Sequence, residues 1–175
     1  VGHSGGRFDD IYATNGTIQT SDRNEKQDIA ALTSAEMLAA KRISTLFKTF
    51  RWKDKVAAKG DDARTHSGII AQDVQAAFAA ESLDAGDYSM FISTTWWEHD
   101  VDVAAVQADD TVEPAIEAAD AYTHTNTYKT EDEAPSGSIK KTRLGIRYPE
   151  LLSFLAAYNE QRFAAIETRI TALEG

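Results

Sequence analysis

The chain has 175 residues and a mass of 19.2 kDa, with 42% apolar residues, 26% charged residues and no cysteine. This composition is typical of one medium-sized globular domain, and it excludes collagen, disulfide scaffolds and plain disorder. Because 28 Asp and Glu outnumber 18 Lys and Arg, the chain is a poor match to nucleic-acid phosphates or an anionic bilayer, and no apolar run reaches membrane-spanning length. We therefore predict neither a nucleic-acid partner nor a membrane partner. The absence of cysteine is compatible with a reducing compartment.

The first twenty residues predict β-structure. Apolar residues alternate loosely between Arg7 and Thr20, around the strong turn signal Asn15-Gly16. The segment has too little apolar surface to fold alone, and the chain opens with neither an initiator methionine nor a signal peptide. We expect residues 1–20 to be the end of something longer.

Two helices and a strand are predicted next. Thr33-Ser34-Ala35-Glu36 matches a capping box, followed by helical spacing over Ala35–Phe47. Phe50–Lys53 alternates like a strand, and Gly60-Asp61-Asp62 marks a turn. Helical spacing returns over Ile69–Glu81.

An acidic stretch separates two further predicted strands, Tyr88–Trp97 and Leu144–Tyr148. Glu98–Glu133 holds eleven acids against one base, Lys129, whereas the rest of the chain balances at 17 against 17. This weakly periodic stretch predicts a solvated insertion over about residues 98–140. A cation site and a mimic of a polyanion are the alternatives, although no metal-ligand spacing supports the first. The mixture of elements predicts an α+β fold.

The C-terminal segment is the most regular part of the sequence. Pro149 suits the first turn of a helix over about residues 149–174. Seven residues then recur at spacings of 4 and 3, the pattern of a coiled-coil seam: Leu152, Ala156, Asn159, Phe163, Ile166, Ile170 and Leu173. An amphipathic helix packed on its own domain has the same pattern over so few heptads. We favour self-association because the seam continues to Leu173, and the spacing does not separate two strands from three.

Several common enzyme motifs are absent from the sequence. The four histidines match no zinc-site spacing, and there is no GxGxxG or Walker motif, so neither a metal nor a cofactor is predicted. Trp52, Trp96 and Trp97 suit a carbohydrate platform, but large aromatic residues near strands lie more often in the core.

One cluster has residues suited to catalysis, Ser21-Asp22-Arg23-Asn24-Glu25-Lys26-Gln27-Asp28-Ile29. A serine hydroxyl needs a base to take its proton, and a lysine serves when burial or nearby cations favour its neutral form. Ser21 and Lys26 form a candidate dyad of this kind. On local sequence alone, a turn begun by Ser21-Asp22 is the simpler interpretation.

Three blocks, in order, resemble the endosialidase-type intramolecular chaperone domains of bacteriophage tail fibres and tailspikes, peptidase family S74. Ser21–Ile29 is similar to the family's SDRxxKxDI signature, His66–Val74 to its central HSGfIAQdV block, and Tyr148–Glu174 to its Tyr-x-x-Leu start of a terminal coiled-coil helix. The resemblance covers Ser21–Gly175, while residues 1–20 resemble the end of a fibre before the cut. Asn24-Glu25 departs from the family pattern, which bears on the packing beside Lys26.

The resemblance implies a homotrimer that assists folding of the upstream fibre in the same polypeptide and then releases itself by cleavage. It places the scissile bond between Thr20 and Ser21, with Ser21 as nucleophile, Lys26 as base and no cofactor. Arg23 and backbone N–H groups are candidate oxyanion donors. His66 is a candidate orienting residue, and a purely structural histidine is an equal alternative.

The expected architecture is therefore a small α+β domain over residues 21–175, preceded by a β-structured fibre stub over residues 1–20. Its C-terminal helix forms a trimeric coiled coil, and its acidic insertion protrudes along the fibre. The family implies synthesis in the bacterial host cytoplasm, with the fibre going to the virion tail and the chaperone part released. Two alternatives remain: a trimerisation domain in which Ser21 and Lys26 are inert, and an attached fibre tip that binds the host receptor.

Overall fold

The computed structural model describes residues 21–108, 111 and 117–174, so the β-structure predicted over Arg7–Thr20 lies outside the described residues. The chain divides into two compact units. The first, here called the helical unit, comprises Arg23–Ser93 and Leu144–Gly175. The second, here called the sheet unit, comprises Val1–Asp22 and Thr94–Arg143. In the described part of the chain, no helix is long and apolar enough to cross a membrane.

The chain combines helices with antiparallel strand pairs, as an α+β protein does. The helices are α1 (Ser34–Ile43), α2 (Lys53–Lys59), α3 (Ala71–Ala79) and α4 (Tyr148–Glu174). The strands are β1 (Lys48–Phe50), β2 (His66–Gly68), β3 (Phe91–Val103), β4 (Tyr122–Tyr128) and β5 (Ile139–Ile146). Short 3₁₀ turns occupy Arg23–Glu25, Gly60–Asp62 and Ala85–Asp87.

The capping box predicted for α1 is confirmed. The Glu36 N–H donates to Thr33 Oγ1 at 3.3 Å, and the Thr33 N–H donates to Glu36 Oε2 at 2.7 Å. These bonds satisfy two amides that the first turn leaves without helical partners.

The helix ends at Ile43, short of the predicted Phe47. The hydroxyls of Ser44 and Thr45 each donate to a last-turn carbonyl at 2.8 Å, which satisfies two acceptors that the helix leaves open. The chain then enters β1, so the apolar residues Leu46 and Phe47 follow the helix rather than extend it.

Strands β1 and β2 form an antiparallel pair in which Phe50 lies opposite His66. The strand predicted over Phe50–Lys53 is therefore displaced toward the N-terminus, because Lys53 already begins α2. The predicted turn at Gly60-Asp61-Asp62 is confirmed as a 3₁₀ turn, and the second predicted helix is confirmed as α3.

The core of the helical unit lies where α1 packs against α3 and α4. The rings of Phe78, Tyr88 and Phe154 meet there, with centroids 4.5 to 6.1 Å apart. The buried apolar residues that surround them include Ala39, Ala40, Ile43, Val74, Ala77, Leu151, Leu155 and Tyr158. This interior fixes the first half of α4 on the other helices.

The sheet unit is built on three strands in the order β4-β3-β5. Strand β3 pairs antiparallel with β4 from Trp97↔Tyr128 to Val103↔Tyr122. The short strand predicted over Tyr88–Trp97 is wrong in its extent, because β3 continues to Val103 into the acidic stretch.

The reason for this extension is visible in the side chains on β3 and β4. The hydroxyls of Thr125 and Thr123 donate at 2.6 Å to the carboxylates of Asp100 and Asp102, which lie directly opposite them. Such cross-strand pairs stabilise a ribbon that an acidic composition alone does not predict. That this stretch is an insertion stays a prediction.

None of the three tryptophans joins the buried core, so the prediction that they lie there is wrong. Trp52 is 53% exposed. Trp96 and Trp97 are half-buried in the sheet unit, beneath Arg143 and Lys140 at 5.2 and 5.3 Å from their ring centres. Cation–π contacts with β5 therefore take the place of core packing for these two rings.

Candidate cleavage segment and assembly helix

The candidate cleavage segment, Ser21–Ile29, lies in exposed chain before α1. Its only described regular element is the 3₁₀ turn Arg23–Glu25, closed by the Lys26 N–H donating to the Arg23 carbonyl at 3.1 Å. Ser21, Arg23 and Lys26 are all exposed. Thr20 lies outside the described residues, and the pairing of Ser21 with Lys26 stays a prediction.

Asp28 bends this segment two residues after Lys26. Its φ of 53° lies in the left-handed region, which few residues other than glycine adopt without strain. Aspartate and asparagine tolerate this conformation better than other non-glycine residues. The aspartate of the first sequence block therefore has a backbone role that the sequence did not reveal.

His66 belongs to an aromatic cluster that it forms with Phe50 and Trp52. Its ring stacks on Phe50 with centroids 5.8 Å apart and meets Trp52 at 6.3 Å, while Phe50 and Trp52 pack edge to face at 5.2 Å. The imidazole is exposed. These contacts hold its orientation, and its role in cleavage stays a prediction.

The second and third sequence blocks meet at Tyr148, the first residue of α4. The Ile69 N–H donates to the Tyr148 hydroxyl oxygen at 3.1 Å. The same oxygen packs so closely on Gly68 that a Cβ there would overlap it, and that Cβ would lie 3.2 Å from Phe50 Cε1. Only glycine allows this approach of side chain to backbone. The block pattern marked both residues, but it did not predict their contact.

The start of α4 is also tied to the chain before β3. The Arg147 N–H donates to the Met90 carbonyl at 2.8 Å, and its guanidinium donates to the Ser89 carbonyl at 3.2 Å. The Ser89 hydroxyl donates in turn to the Glu150 carboxylate. Together with Tyr148, these bonds fix the direction in which α4 leaves the core.

Helix α4 has two distinct apolar faces. Leu151, Phe154, Leu155 and Tyr158 are buried against the other helices. The predicted seam lies on different positions, and all seven residues are exposed: Leu152, Ala156, Asn159, Phe163, Ile166, Ile170 and Leu173. The described residues of the helical unit leave the seam uncovered. The seam is therefore not the face by which α4 packs on its own core.

The second half of α4 extends the seam away from any buried packing. Of the described residues from 159 to 174, none is buried, and Phe163 and Leu173 are 57% and 86% exposed. The 27 residues of α4 span about 40 Å at the usual helical rise. The arrangement presents an apolar stripe suited to another helix.

Glu36 connects Thr33, the cap residue of α1, to the core. Its carboxylate accepts hydrogen bonds from the Thr33 N–H and hydroxyl at 2.7 Å and from the Tyr88 hydroxyl at 3.0 Å. Burial acts to raise the pKa of Glu36, but these hydrogen bonds outweigh it and hold the pKa below its ordinary value. Burial, and then the bond to Glu36, raises the pKa of Tyr88 to about 12. The sequence predicted the cap but not Tyr88.

The fold and the long terminal helix resemble a solved phage structure. That structure is the carboxy-terminal domain of the bacteriophage T5 L-shaped tail fibre with its intramolecular chaperone domain. The TM-score is 0.68 and the identity 26%, over 98% of this chain and 36% of that one.

Sequence relatives come from the same class of phage proteins. The chain is 32% identical to a probable tail spike protein of Klebsiella phage 0507-KN2-1, over 91% of its own length. It is 31% identical to the side tail fibre protein pb1 of Escherichia phage T5, over 97% of its own length. It spans only 12% and 11% of these two relatives.

Residues 21–83 match the model of the family described as chaperone of endosialidase. This segment contains the first two sequence blocks and ends just after α3. Residues 21–83 therefore match this chaperone family, and the chain as a whole is similar to phage tail-fibre and tailspike proteins.

Proposed function

We propose that this chain is a trimeric intramolecular chaperone that assists folding of an upstream phage fibre segment and then releases itself at the Thr20–Ser21 bond. The observation that carries the assembly step is the exposed seam of α4, whose residues follow a coiled-coil spacing while a separate face is buried. The match of residues 21–83 to the family model supports the chaperone and peptidase steps.

Trimerisation through α4 has a clear physical use. Fibres built from interwoven chains have mostly non-local contacts, so three chains must be aligned before burial offsets the lost entropy. Holding the chains together at α4 raises their effective concentration. Asn159 at a core position of the seam would weaken the helix bundle while selecting its register and strand number.

Cleavage would proceed by attack of Ser21 Oγ on the Thr20 carbonyl carbon. Lys26 takes the hydroxyl proton and returns it to the departing nitrogen, so the peptide C–N bond breaks as an ester forms. Water then hydrolyses the ester to leave a carboxylate on Thr20 and a free Ser21 hydroxyl. Backbone N–H groups or Arg23 would stabilise the oxyanion, and His66 would orient the site.

Self-removal would make assembly irreversible. Once the upstream segment has folded, cutting the link prevents refolding by the assisted route, so the product is protected kinetically. In this proposal the chain is made in the host cytoplasm, the fibre portion goes to the virion tail, and residues 21–175 are released.

The test is the intact mass of each chain under denaturing conditions, with native mass for the assembly. Wild-type protein should yield a fragment that begins at Ser21, whereas Ser21→Ala and Lys26→Gln stay full length as trimers. Lys41→Gln, at an exposed lysine of α1, is the matched control and should cleave normally. A full-length wild-type trimer would instead identify an inert trimerisation domain or an attached fibre tip, and a monomer would refute the assembly step.

A further inference from the structure

Two of the three sequence blocks are separated by 79 residues between Ile69 and Tyr148, yet one side chain joins them. The Tyr148 hydroxyl accepts the Ile69 N–H and rests directly on Gly68. It therefore acts on two consecutive residues at the end of β2. All these groups lie in the helical unit.

The two elements that meet in this contact, β2 and α4, have different predicted roles. On one side, β2 carries His66, whose ring stacks on Phe50. On the other side, Tyr148 begins the helix that carries the exposed seam. Phe50 lies against both His66 and the position that a Cβ of residue 68 would take, so the contact continues into the aromatic cluster.

We propose that Tyr148 is a positioning residue for self-cleavage, whose hydroxyl holds the β1–β2 pair and His66 in place only when α4 is seated on the core. The proposal rests on the self-cleavage proposed above and adds a regulatory link to it. The start of α4 and the orientation of His66 then both depend on the hydrogen bond of Tyr148 and on Gly68. A chain whose α4 is not docked would leave His66 without this support and would cut slowly.

The geometry gives the Tyr148 hydroxyl two effects. As an acceptor it satisfies the Ile69 amide, and as a spacer it occupies the volume beside Gly68 where any side chain would stand. Removal of the oxygen loses the acceptor of the Ile69 amide and opens the space beside Gly68. Addition of a methyl group at residue 68 displaces the oxygen and disturbs both.

The experiment measures first-order cleavage rates of the 175-residue chain, synthesised uncut and analysed in its trimeric fraction. The variants are Tyr148→Phe, Gly68→Ala and their combination. Gly145→Ala is the matched control, because a Cβ there meets only Ile92 Cβ at 3.7 Å, an ordinary contact. A fourth variant, His66→Ala, is made alone and together with Tyr148→Phe.

Gly68→Ala should slow cleavage by about tenfold or more, since small errors of position cost reactions of this kind heavily. Tyr148→Phe should slow it by about threefold to tenfold, the effect of one lost hydrogen bond. Adding Tyr148→Phe to Gly68→Ala should restore the rate to that of Tyr148→Phe alone, because the oxygen that the methyl group displaces is gone. The Cβ of residue 68 then has two remaining close neighbours, Phe50 Cε1 at 3.2 Å and the ring carbon Cζ of residue 148 at 3.4 Å, which leave a tight but adjustable fit.

The combination with His66 separates positioning from a general loss of stability. If Tyr148 acts through the strand that carries His66, the rate reduction in the His66→Ala/Tyr148→Phe double variant should be smaller than the product of the two single reductions. The inference would be overturned if the effects of His66→Ala and Tyr148→Phe simply multiplied. It would also be overturned by a normal rate for His66→Ala or Gly68→Ala, or by a Gly68→Ala/Tyr148→Phe double variant that cuts no faster than Gly68→Ala. If the wild-type protein never cuts, the proposed self-cleavage is refuted together with the positioning role. If the wild-type protein cuts normally and one of the overturning results is found, only the positioning role of Tyr148 is refuted.

Discussion

Tyr88 donates its hydroxyl hydrogen to the Glu36 carboxylate at 3.0 Å, which ties the cap of α1 to the aromatic core. The ring of Tyr88 packs on Phe78 and Phe154, and Glu36 holds Thr33 through the capping box. The start of α1, which follows the exposed cleavage segment, is thereby anchored to residues of α3 and α4. We expect this anchor to be one of the most sensitive polar contacts of the helical unit.

Replacement of Glu36 by alanine should destabilise the protein by about 1–3 kcal/mol, because it removes the side-chain half of the capping box and leaves the Tyr88 hydroxyl without its acceptor. The measurement is urea-induced unfolding at neutral pH, with cleavage blocked by Ser21→Ala. Glu160→Ala, at an exposed position of α4, is the control and should change stability by less than about 0.5 kcal/mol. Equal stabilities of the two variants would contradict the anchor.

Acid should remove the contribution of Glu36 in a defined direction. Its folded-state pKa is lowered, so its stabilisation is present above the unfolded-state pKa of about 4.3 and is lost as the pH falls through the folded-state value. The stability difference between the wild-type sequence and Glu36→Gln should therefore shrink below about pH 4. Unfolding curves from pH 3 to 7 test this, and a difference that grows in acid would exclude the assigned hydrogen bonds.

Alkali should act on the other partner of the same bond. The folded-state pKa of Tyr88 is raised from 10.0 to about 12, so its contribution is complete below the unfolded-state value and is lost as the pH rises toward about 12. Tyr88→Phe should lack this alkaline loss and should be less stable at neutral pH. Stability measured at pH 8, 10 and 11 distinguishes the variants, and identical pH profiles would count against the prediction.

The left-handed backbone at Asp28 predicts a strict order of substitutions. Glycine and asparagine tolerate a φ of 53°, whereas valine is strained there by about 1–2 kcal/mol. If the bend positions the cleavage segment, Asp28→Val should slow self-cleavage by about tenfold, and Asp28→Gly should cut at nearly the normal rate. Asp61→Val, which replaces an aspartate outside the left-handed region, serves as control. Equal rates for Asp28→Val and Asp28→Gly would remove Asp28 from the mechanism.

A charge in the seam of α4 should separate assembly from folding. Ile166 is exposed in the single chain, so Ile166→Asp should leave α1, α3 and the first half of α4 folded. In a coiled coil the same carboxylate would be buried, and we expect the dissociation constant of the trimer to rise by at least about a hundredfold. Analytical ultracentrifugation with circular dichroism measures both effects. Thr168→Asp, off the seam, should remain trimeric, and an unchanged trimer for Ile166→Asp would exclude the seam as the interface.

Local sequence was most informative where structure depends on neighbouring residues. The capping box at Thr33 and Glu36, the helix α3 and the helix after Pro149 are confirmed. The strands were less predictable, because β3 is extended by hydroxyl–carboxylate pairs with β4, more than twenty residues away. The tryptophans were misplaced for a similar reason, since cations on β5 cover Trp96 and Trp97.

The sequence by itself determined the α+β class, the periodicity of the seam and the three blocks of the family, since each is written in the spacing of residues along the chain. Only the tertiary structure decided which apolar face of α4 is buried, because helical periodicity is the same for a core and for an interface. It also decided that Tyr148 rests on Gly68 and that Tyr88 bonds Glu36. Such contacts join residues that are distant in sequence. Local propensity depends only on neighbouring residues, so it does not predict which distant residues will pack together.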